Sequence, residues 1–364
     1  MKSVCKTDIK SLVFSELEGQ LRELGEPSYR AGQITDWLYK KRVDTIDEMT
    51  NLPQPLRGRL SETFSLGKVH IVRELGARDT TRKFLFRLAD GNLIESVLIP
   101  ASLALYGAKS DRRTICVSTQ VGCAYGCKFC ASGLEGFSRN LTANEIVDQL
   151  IAVERAAGEK IDNVVFMGMG EPLANLENML RAIRIINAEW GLGIGARHIT
   201  ISTSGLAPQI RELAEEPLQI RLAVSLHGAT DEVRNRIMPI NRRYNIETLL
   251  SACDYYKAHK KQRLTFEYIL IADVNDSDEQ ARVLSRHAYR LSAKVNLIPY
   301  NRVSGLPWTR PSEKRQEKFL SILRDQGIPA TLRREKGHDI DAACGQLRLQ
   351  TEREAASKHV ISKL

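Results

Sequence analysis

An α/β fold is predicted for this chain: a partial (β/α)6 barrel preceded by a small helical accessory domain. Three observations carry that expectation. Residues 1–90 read as short helices ending in the start of a hairpin. From about residue 113, six short β-rich runs alternate with helical stretches, as parallel strands joined by crossovers require. Glycines, small polar residues and cysteines cluster just after those runs, and a barrel gathers its functional groups at the carboxyl ends of its strands. An open doubly wound sheet is the competing arrangement, and the strand-end clustering favours the barrel.

The elements follow in order. Phe14 to Leu24 has a helical pattern, and Tyr29 to Tyr39 places Ile34, Trp37 and Leu38 on one stripe. Asn51-Leu-Pro-Gln-Pro55 breaks the chain before a short helix over 56–64. Lys83–Leu88 and Leu93–Ile99 flank Asp90-Gly91, a hairpin signal. Residues 91–108 read as a linker strand and loop, 109–343 as the core, and 344–364 as a C-terminal segment. In the core, Thr114–Ser118 leads into a cysteine loop, and Thr142-Ala-Asn-Glu145 is a capping box opening a helix. Further strands are expected at Asn163–Met167, His198–Ser202, Ile220–Leu226, Leu264–Ile271 and Val295–Ile298. Neither internal repeats nor low-complexity segments interrupt this pattern.

At 364 residues the chain is long enough for one large domain and an accessory one. Its apolar fraction of 43% and charged fraction of 27% are those of a globular enzyme. No run approaches the ~18–20 apolar residues of a membrane span. The first residues lack a secretory layout, and seven cysteines, an odd number, point to a reducing cytoplasmic setting where thiolates serve metal or catalysis. A net charge of +9 is compatible with a polyanion such as RNA.

The chemistry is concentrated in Gly122-Cys123-Ala-Tyr-Gly-Cys127-Lys-Phe-Cys130. Electron-carrying iron–sulfur clusters take four cysteines as a rule, and closed zinc sites take four ligands. Three thiolates on a [4Fe–4S] cluster leave one iron open to bind something else. After the second strand, Gly170-Glu171 offers close backbone approach and a carboxylate acceptor. Ser202, Ser225-Leu226-His227 and Asn296 to Asn301 end later strands in polar groups suited to a carboxylate, a ribose and an adenine edge. Taken singly, each is more often a helix cap or a satisfied core polar residue; their recurrence singles them out. Two more cysteines stand apart, Cys116 on the strand feeding the loop and Cys344 in an uncrowded Ala-Ala-Cys-Gly setting. Cys253 reads as core and Cys5 as a terminal thiol.

The run Cys116-Val-Ser-Thr-Gln-Val-Gly-Cys123-Ala-Tyr-Gly-Cys127-Lys-Phe-Cys130, with Gly168-Met-Gly-Glu-Pro-Leu173, Ser202-Thr-Ser-Gly205, Met238-Pro-Ile-Asn-Arg242, Asn296-Leu-Ile-Pro-Tyr-Asn301 and Asp339-Ile-Asp-Ala-Ala-Cys344, resembles the RlmN/Cfr family of radical S-adenosylmethionine (SAM) RNA methyltransferases. Tyr29-Arg-Ala-Gly-Gln33 and Glu48-Met-Thr-Asn-Leu-Pro53 resemble that family's accessory domain, so the likeness covers almost the whole chain. It implies a radical SAM barrel that methylates C2 of adenine 2503 in 23S rRNA and of adenine 37 in tRNAs. It also implies a [4Fe–4S] cluster on Cys123, Cys127 and Cys130, and SAM held by Gly170, Glu171, Ser202, Ser225, Leu226, His227 and Asn301.

C2 of adenine is electron-poor and cannot attack a sulfonium methyl. The resemblance implies instead that Cys344 accepts a methyl from one SAM and that a second SAM supplies a radical to activate it. Cys116 then releases the product through a transient disulfide, and Glu95 accepts a proton. The partners implied are 23S rRNA, tRNA and an electron donor such as flavodoxin or ferredoxin, with a monomeric, cytoplasmic enzyme. Three alternatives share part of the pattern: C8 methylation of the Cfr type, an activase for a glycyl radical partner, and a non-catalytic iron–sulfur RNA-binding protein. Two departures stand out, a long 101–111 stretch and His338 where an acid is expected. Arg30, Lys40, Lys41 and Arg42 are either phosphate contacts or a solvated helix face.

Overall fold

The computed structural model describes residues 6–77, 81–100, 112–134, 136–303, 305–333, 347–349 and 351–352. The N-terminal part comprises β1 (Thr7–Asp8), α1 (Phe14–Glu23), α2 (Tyr29–Thr35), α3 (Gln54–Thr63) and β2 (Phe64–Ser65), which pairs in parallel with β1. α1 buries Leu17 and Leu21 on one face, and Glu16 closes its first turn by accepting from the Val13 N–H at 3.1 Å. α2 runs on through a wider π-turn, Asp36–Lys41, and stops where Arg42 adopts a left-handed conformation at φ 58°.

One ten-stranded sheet forms the rest of the frame, in the order β14-β13-β12-β11-β10-β9-β6-β5-β4-β3. β3 (His70–Gly76), β4 (Arg82–Arg87) and β5 (Leu93–Ile99) are antiparallel, with the expected hairpin between β4 and β5. β6 (Thr114–Cys116) pairs antiparallel with β5 and parallel with β9 (Asn163–Phe166). A separate ladder of β7 (Gln120–Gly122) and β8 (Phe137–Asn140) clasps the base of the cysteine loop. Parallel pairing continues through β10 (Ile199–Thr203), β11 (Arg221–Ser225), β12 (Thr265–Leu270), β13 (Lys294–Pro299) and β14 (Ala330–Leu332).

The crossovers are α4 (Ala143–Ala157), α5 (Leu176–Asn187), α6 (Ala207–Glu215), the pair α7 (Asp231–Ile237) and α8 (Ile246–His259), α9 (Asp278–Leu291) and α10 (Glu313–Asp325). A strand order that never reverses, with crossovers of one hand, puts these helices on a single face and curls the sheet around the other. That is a partial barrel, as expected. The six expected runs correspond to β6 and β9–β13; β14, three residues long, adds a seventh parallel strand, and β3 widens the antiparallel flank.

α4 also carries the N-terminal helices. Asp148 accepts from Lys10 Nζ and, at 2.7 Å, from the Val69 N–H. Glu154 takes Arg42, Arg155 reaches Asp44 at 3.0 Å, and Trp190 at the end of the next crossover packs against the rings of Phe14 and Tyr39. Arg42 therefore pins the module to the barrel, whereas Lys40 and Lys41 remain exposed, with Lys41 lying over the Trp37 ring. Among the described residues no helix is long and apolar enough to cross a membrane. Cys253 is fully buried in α8; Cys5, His338 and the 101–111 stretch lie outside the described residues.

Candidate active site

The inner face of the sheet departs from a filled barrel, whose interior is stacked with branched apolar side chains. Here Ser202, Ser225, Glu267 and Met167 line a cavity of about 250 Å³ together with Cys123, Cys127, Cys130, Glu171 and His227. A neighbouring cavity of about 310 Å³ is lined by Cys116, Val97, Ile99 and Asn301, and shares Cys130, Phe129, Met167 and His227 with the first. The carboxyl ends of β6, β9, β10, β11 and β13 thus border two cavities that share a wall.

The cysteine loop is held by backbone geometry at its base. Gly122 has φ 75°, and a Cβ there would run into the Gly136 carbonyl, to which the Cys123 N–H donates at 2.9 Å. The Lys128 N–H donates to the Ile237 carbonyl at 2.9 Å, and Trp308 Nε1 donates to the Lys128 carbonyl at 2.8 Å, so the loop is tied to both α7 and the segment after β13. Burial pushes the Cys123 thiol up to about 12 and the Cys127 thiol well above its ordinary value. Thiolates persist in such a dry setting only beside a compensating cationic centre, which fits an iron–sulfur cluster. Among the described residues no three His, Cys, Asp or Glu side chains converge to share one metal ion. The ligands of a cubane each bind a different iron.

Glu171 is buried after β9, and burial raises its carboxyl above the usual range. It accepts from the Ser204 N–H at 2.7 Å and the Leu173 N–H at 3.2 Å, which tie it to the end of β10. The glycines before it are required by packing. A Cβ on Gly168 would sit 2.6 Å from the Val117 carbonyl, and Gly170, at φ 100°, lies against Gln120, whose Oε1 accepts from the Glu171 N–H at 2.8 Å. Ser202 and Ser225 face each other with their hydroxyls 3.4 Å apart. His227 has a left-handed backbone at φ 56° and packs edge-on to Phe129, ring centroids 4.9 Å apart. Its Nδ1 accepts from the Ile269 N–H at 3.0 Å, and burial lowers its pKa to about 3. The ring is therefore neutral, with its proton on Nε2.

Leu226 differs from its neighbours. Its side chain is fully buried away from both cavities, and its carbonyl accepts from Arg234 Nε at 3.0 Å. Arg234, fully buried, also donates to Asn241 Oδ1 at 2.8 Å and to the Ser204 carbonyl, linking the turns after β10 and β11. Sequence reading did not single out Arg234, and the Met-Pro-Ile-Asn-Arg stretch that supplies Asn241 was its signal. Glu267 and Arg333, both lining the first cavity, were also missed.

Cys116 is buried at the end of β6, carries no disulfide, and opens on the second cavity. Its register partner on β5 is Val97, so Glu95, two residues along, points to the same face. The Glu95 carboxylate is wholly buried. It pairs with Lys83 at 3.0 Å, and its Oε1 accepts from the Arg348 N–H. Cys344 lies outside the described residues, four positions before Arg348.

Known proteins match this arrangement at three levels. Residues 117–283 match the Radical SAM superfamily, and residues 7–66 match the ribosomal RNA large subunit methyltransferase N-terminal domain. A protein of Akkermansia muciniphila named a probable dual-specificity RNA methyltransferase RlmN is 54% identical over 97% of both chains. A like-named protein of Opitutus terrae is 54% identical over 96% of both. The crystal structure of a radical SAM methyltransferase from Sphaerobacter thermophilus superimposes with a TM-score of 0.86 at 47% identity, covering 93% of this chain and 98% of that one.

Proposed function

This chain belongs to the RlmN family of dual-specificity radical SAM RNA methyltransferases, and we propose that it methylates C2 of adenine 2503 in 23S rRNA and C2 of adenine 37 in tRNAs. The observation that supports the reading most is that Cys116 and Cys130 border one cavity. In this reading Cys123, Cys127 and Cys130 hold a [4Fe–4S] cluster, which when bound supplies the electron that cleaves SAM into a 5′-deoxyadenosyl radical and methionine.

The remaining steps belong to the chain's own side chains. Glu171 receives the amino group of SAM, and Gly170 lets the backbone come close. Ser202, Ser225, the Leu226 backbone, His227 and Asn301 bind the rest of the molecule, with neutral His227 offering Nε2–H as a donor. Cys344 accepts the methyl group by displacement from SAM; the 5′-deoxyadenosyl radical from a second SAM takes one hydrogen of that methyl. The carbon then bonds to C2, and the adduct gives up one electron, returned to the cluster that supplied it, as C2 loses its proton. Cys116 attacks the Cys344 sulfur as a thiolate, the carbon–sulfur bond to the product breaks as the disulfide forms, and the released carbon takes a proton to become the methyl group. Glu95 accepts the C2 proton through water, since its carboxylate is enclosed by Lys83 and the Arg348 N–H.

The division into an RNA-gripping helical domain (1–90), linker (91–108), core (109–343) and methyl-carrying tail (344–364) follows from these roles. A cytoplasmic monomer fed by flavodoxin or ferredoxin completes the proposal. Mass spectrometry of 23S rRNA and tRNA from cells with and without the gene tests it: 2-methyladenine should disappear with the gene. 8-Methyladenine in its place would identify a Cfr-type enzyme, and unchanged RNA would overturn the reading.

A further inference from the structure

Glu267 stands on the inner face of β12 within a polar row that crosses four strands. Ser225, Glu267, Asn296 and Thr331 are successive register partners from β11 to β14. Three members of the row are ordered from its outer edge inward. Thr331 Oγ1 donates to Asn296 Oδ1 at 2.8 Å, which fixes the amide so that its Nδ2 donates to Glu267 Oε1 at 2.9 Å. The second Glu267 oxygen accepts no hydrogen bond from the described residues, and Arg333, on the same cavity wall, makes no ion pair with it. Glu267 is only 8% exposed, yet it borders the cavity shared with the cysteine loop, Ser202, Ser225 and His227.

A largely buried carboxylate at a cavity wall, aimed by two hydrogen-bonded neighbours, calls for a donor on whatever enters. SAM carries three kinds of N–H or O–H donor. Its ammonium is assigned to Glu171 after β9, three strands away in the sheet, and its adenine amine gives a pair of hydrogens on one nitrogen. Its ribose presents two adjacent hydroxyls, which suit a carboxylate with one free oxygen beside the Ser225 hydroxyl. We infer that Glu267 is the acceptor for the ribose hydroxyls of SAM, with Asn296 and Thr331 as its positioning residues. The inference rests on the reading that this cavity takes SAM.

The test is equilibrium dialysis of anaerobically reconstituted, oxidised holoenzyme with SAM and with its 2′-deoxy and 3′-deoxy analogues. Wild type should bind SAM about tenfold or more tightly than at least one analogue, the range of a charge-assisted hydrogen bond. In Glu267→Met that ratio should fall to near one. In Glu267→Gln, which keeps a neutral acceptor, it should be intermediate, and Thr331→Val, on the exposed edge strand, should lower it in part. A wild-type ratio of one, or a ratio unchanged in every variant that loads its cluster, overturns the inference. If wild type fails to bind SAM at all, the functional reading itself falls.

Discussion

At the scale of single residues, His227 shows how burial selects a chemical state. Its ring is neutral because burial lowers its pKa to about 3, and the Ile269 N–H occupies Nδ1. In the unfolded chain a histidine takes its proton near pH 6.5. Between about pH 6.5 and 3 the unfolded state therefore binds more protons, so stability rises with pH through that window and is lost as pH falls. Between pH 7.5 and 5 this one group accounts for about 2 kcal/mol. Replacing it as His227→Gln should flatten the pH dependence of the thermal midpoint over that range, and identical slopes for the two proteins would contradict the assignment. Gly168 poses a steric case: Gly168→Ala pushes a methyl into the Val117 backbone at 2.6 Å, an overpacking cost of about 1–3 kcal/mol. Because Gly168 also lines both cavities, denaturant unfolding and SAM binding should fall together in that variant.

At the scale of elements, the inner face of the β4–β5–β6 flank holds the most deeply buried ion pair among the described residues. Lys83 and Glu95 are 0% and 1% exposed at the side chain and 3.0 Å apart. Removing one member leaves the other charged and buried, at about 3–5 kcal/mol, whereas replacing both by apolar groups is close to neutral. Lys83→Met should therefore lower the denaturant midpoint sharply, and Lys83→Met combined with Glu95→Leu should recover most of it. A double variant no more stable than the single one would show that Arg348 and the enclosing backbone hold Glu95 in place without Lys83.

This flank also marks what the sequence made legible. The hairpin around Asp90-Gly91 and the cysteine loop after Thr114–Cys116 were readable because turn chemistry and ligand spacing are local. The Lys83–Glu95 pair was not, because it depends on a diagonal across two strands. Glu267 escaped for a similar reason: it sits inside an apolar run, Thr265–Leu270, and only the alignment of four strands exposes its polar row. β14 was hidden by length, since three residues carry too little alternation to read. Leu226 was grouped with its neighbours by adjacency, but successive strand-end residues face opposite ways, and its side chain went to the core.

At the scale of the whole molecule, one helix joins the N-terminal module to the barrel. α4 leaves the β7–β8 clasp below the cysteine loop, and its outer side receives the N-terminal module. Asp148 is the centre of that junction, accepting from Lys10 Nζ and the Val69 N–H with both charged side chains under a tenth exposed. Asp148→Ala strands a buried ammonium and a backbone donor, a loss of about 3–5 kcal/mol concentrated at the junction. The barrel keeps its own sheet and its own cavity, so the damage should fall unevenly. Hydrogen exchange across residues 7–66 should speed up and cross-linking to RNA should weaken, while reductive SAM cleavage without RNA stays within about twofold of wild type. The net charge of +9 makes low-salt RNA binding a poor readout, because non-specific phosphate contacts would mask the loss. Cross-linking at physiological salt avoids that. If SAM cleavage collapses along with RNA cross-linking, the module and the barrel unfold as one cooperative unit, and α4 is a shared core rather than a joint between parts.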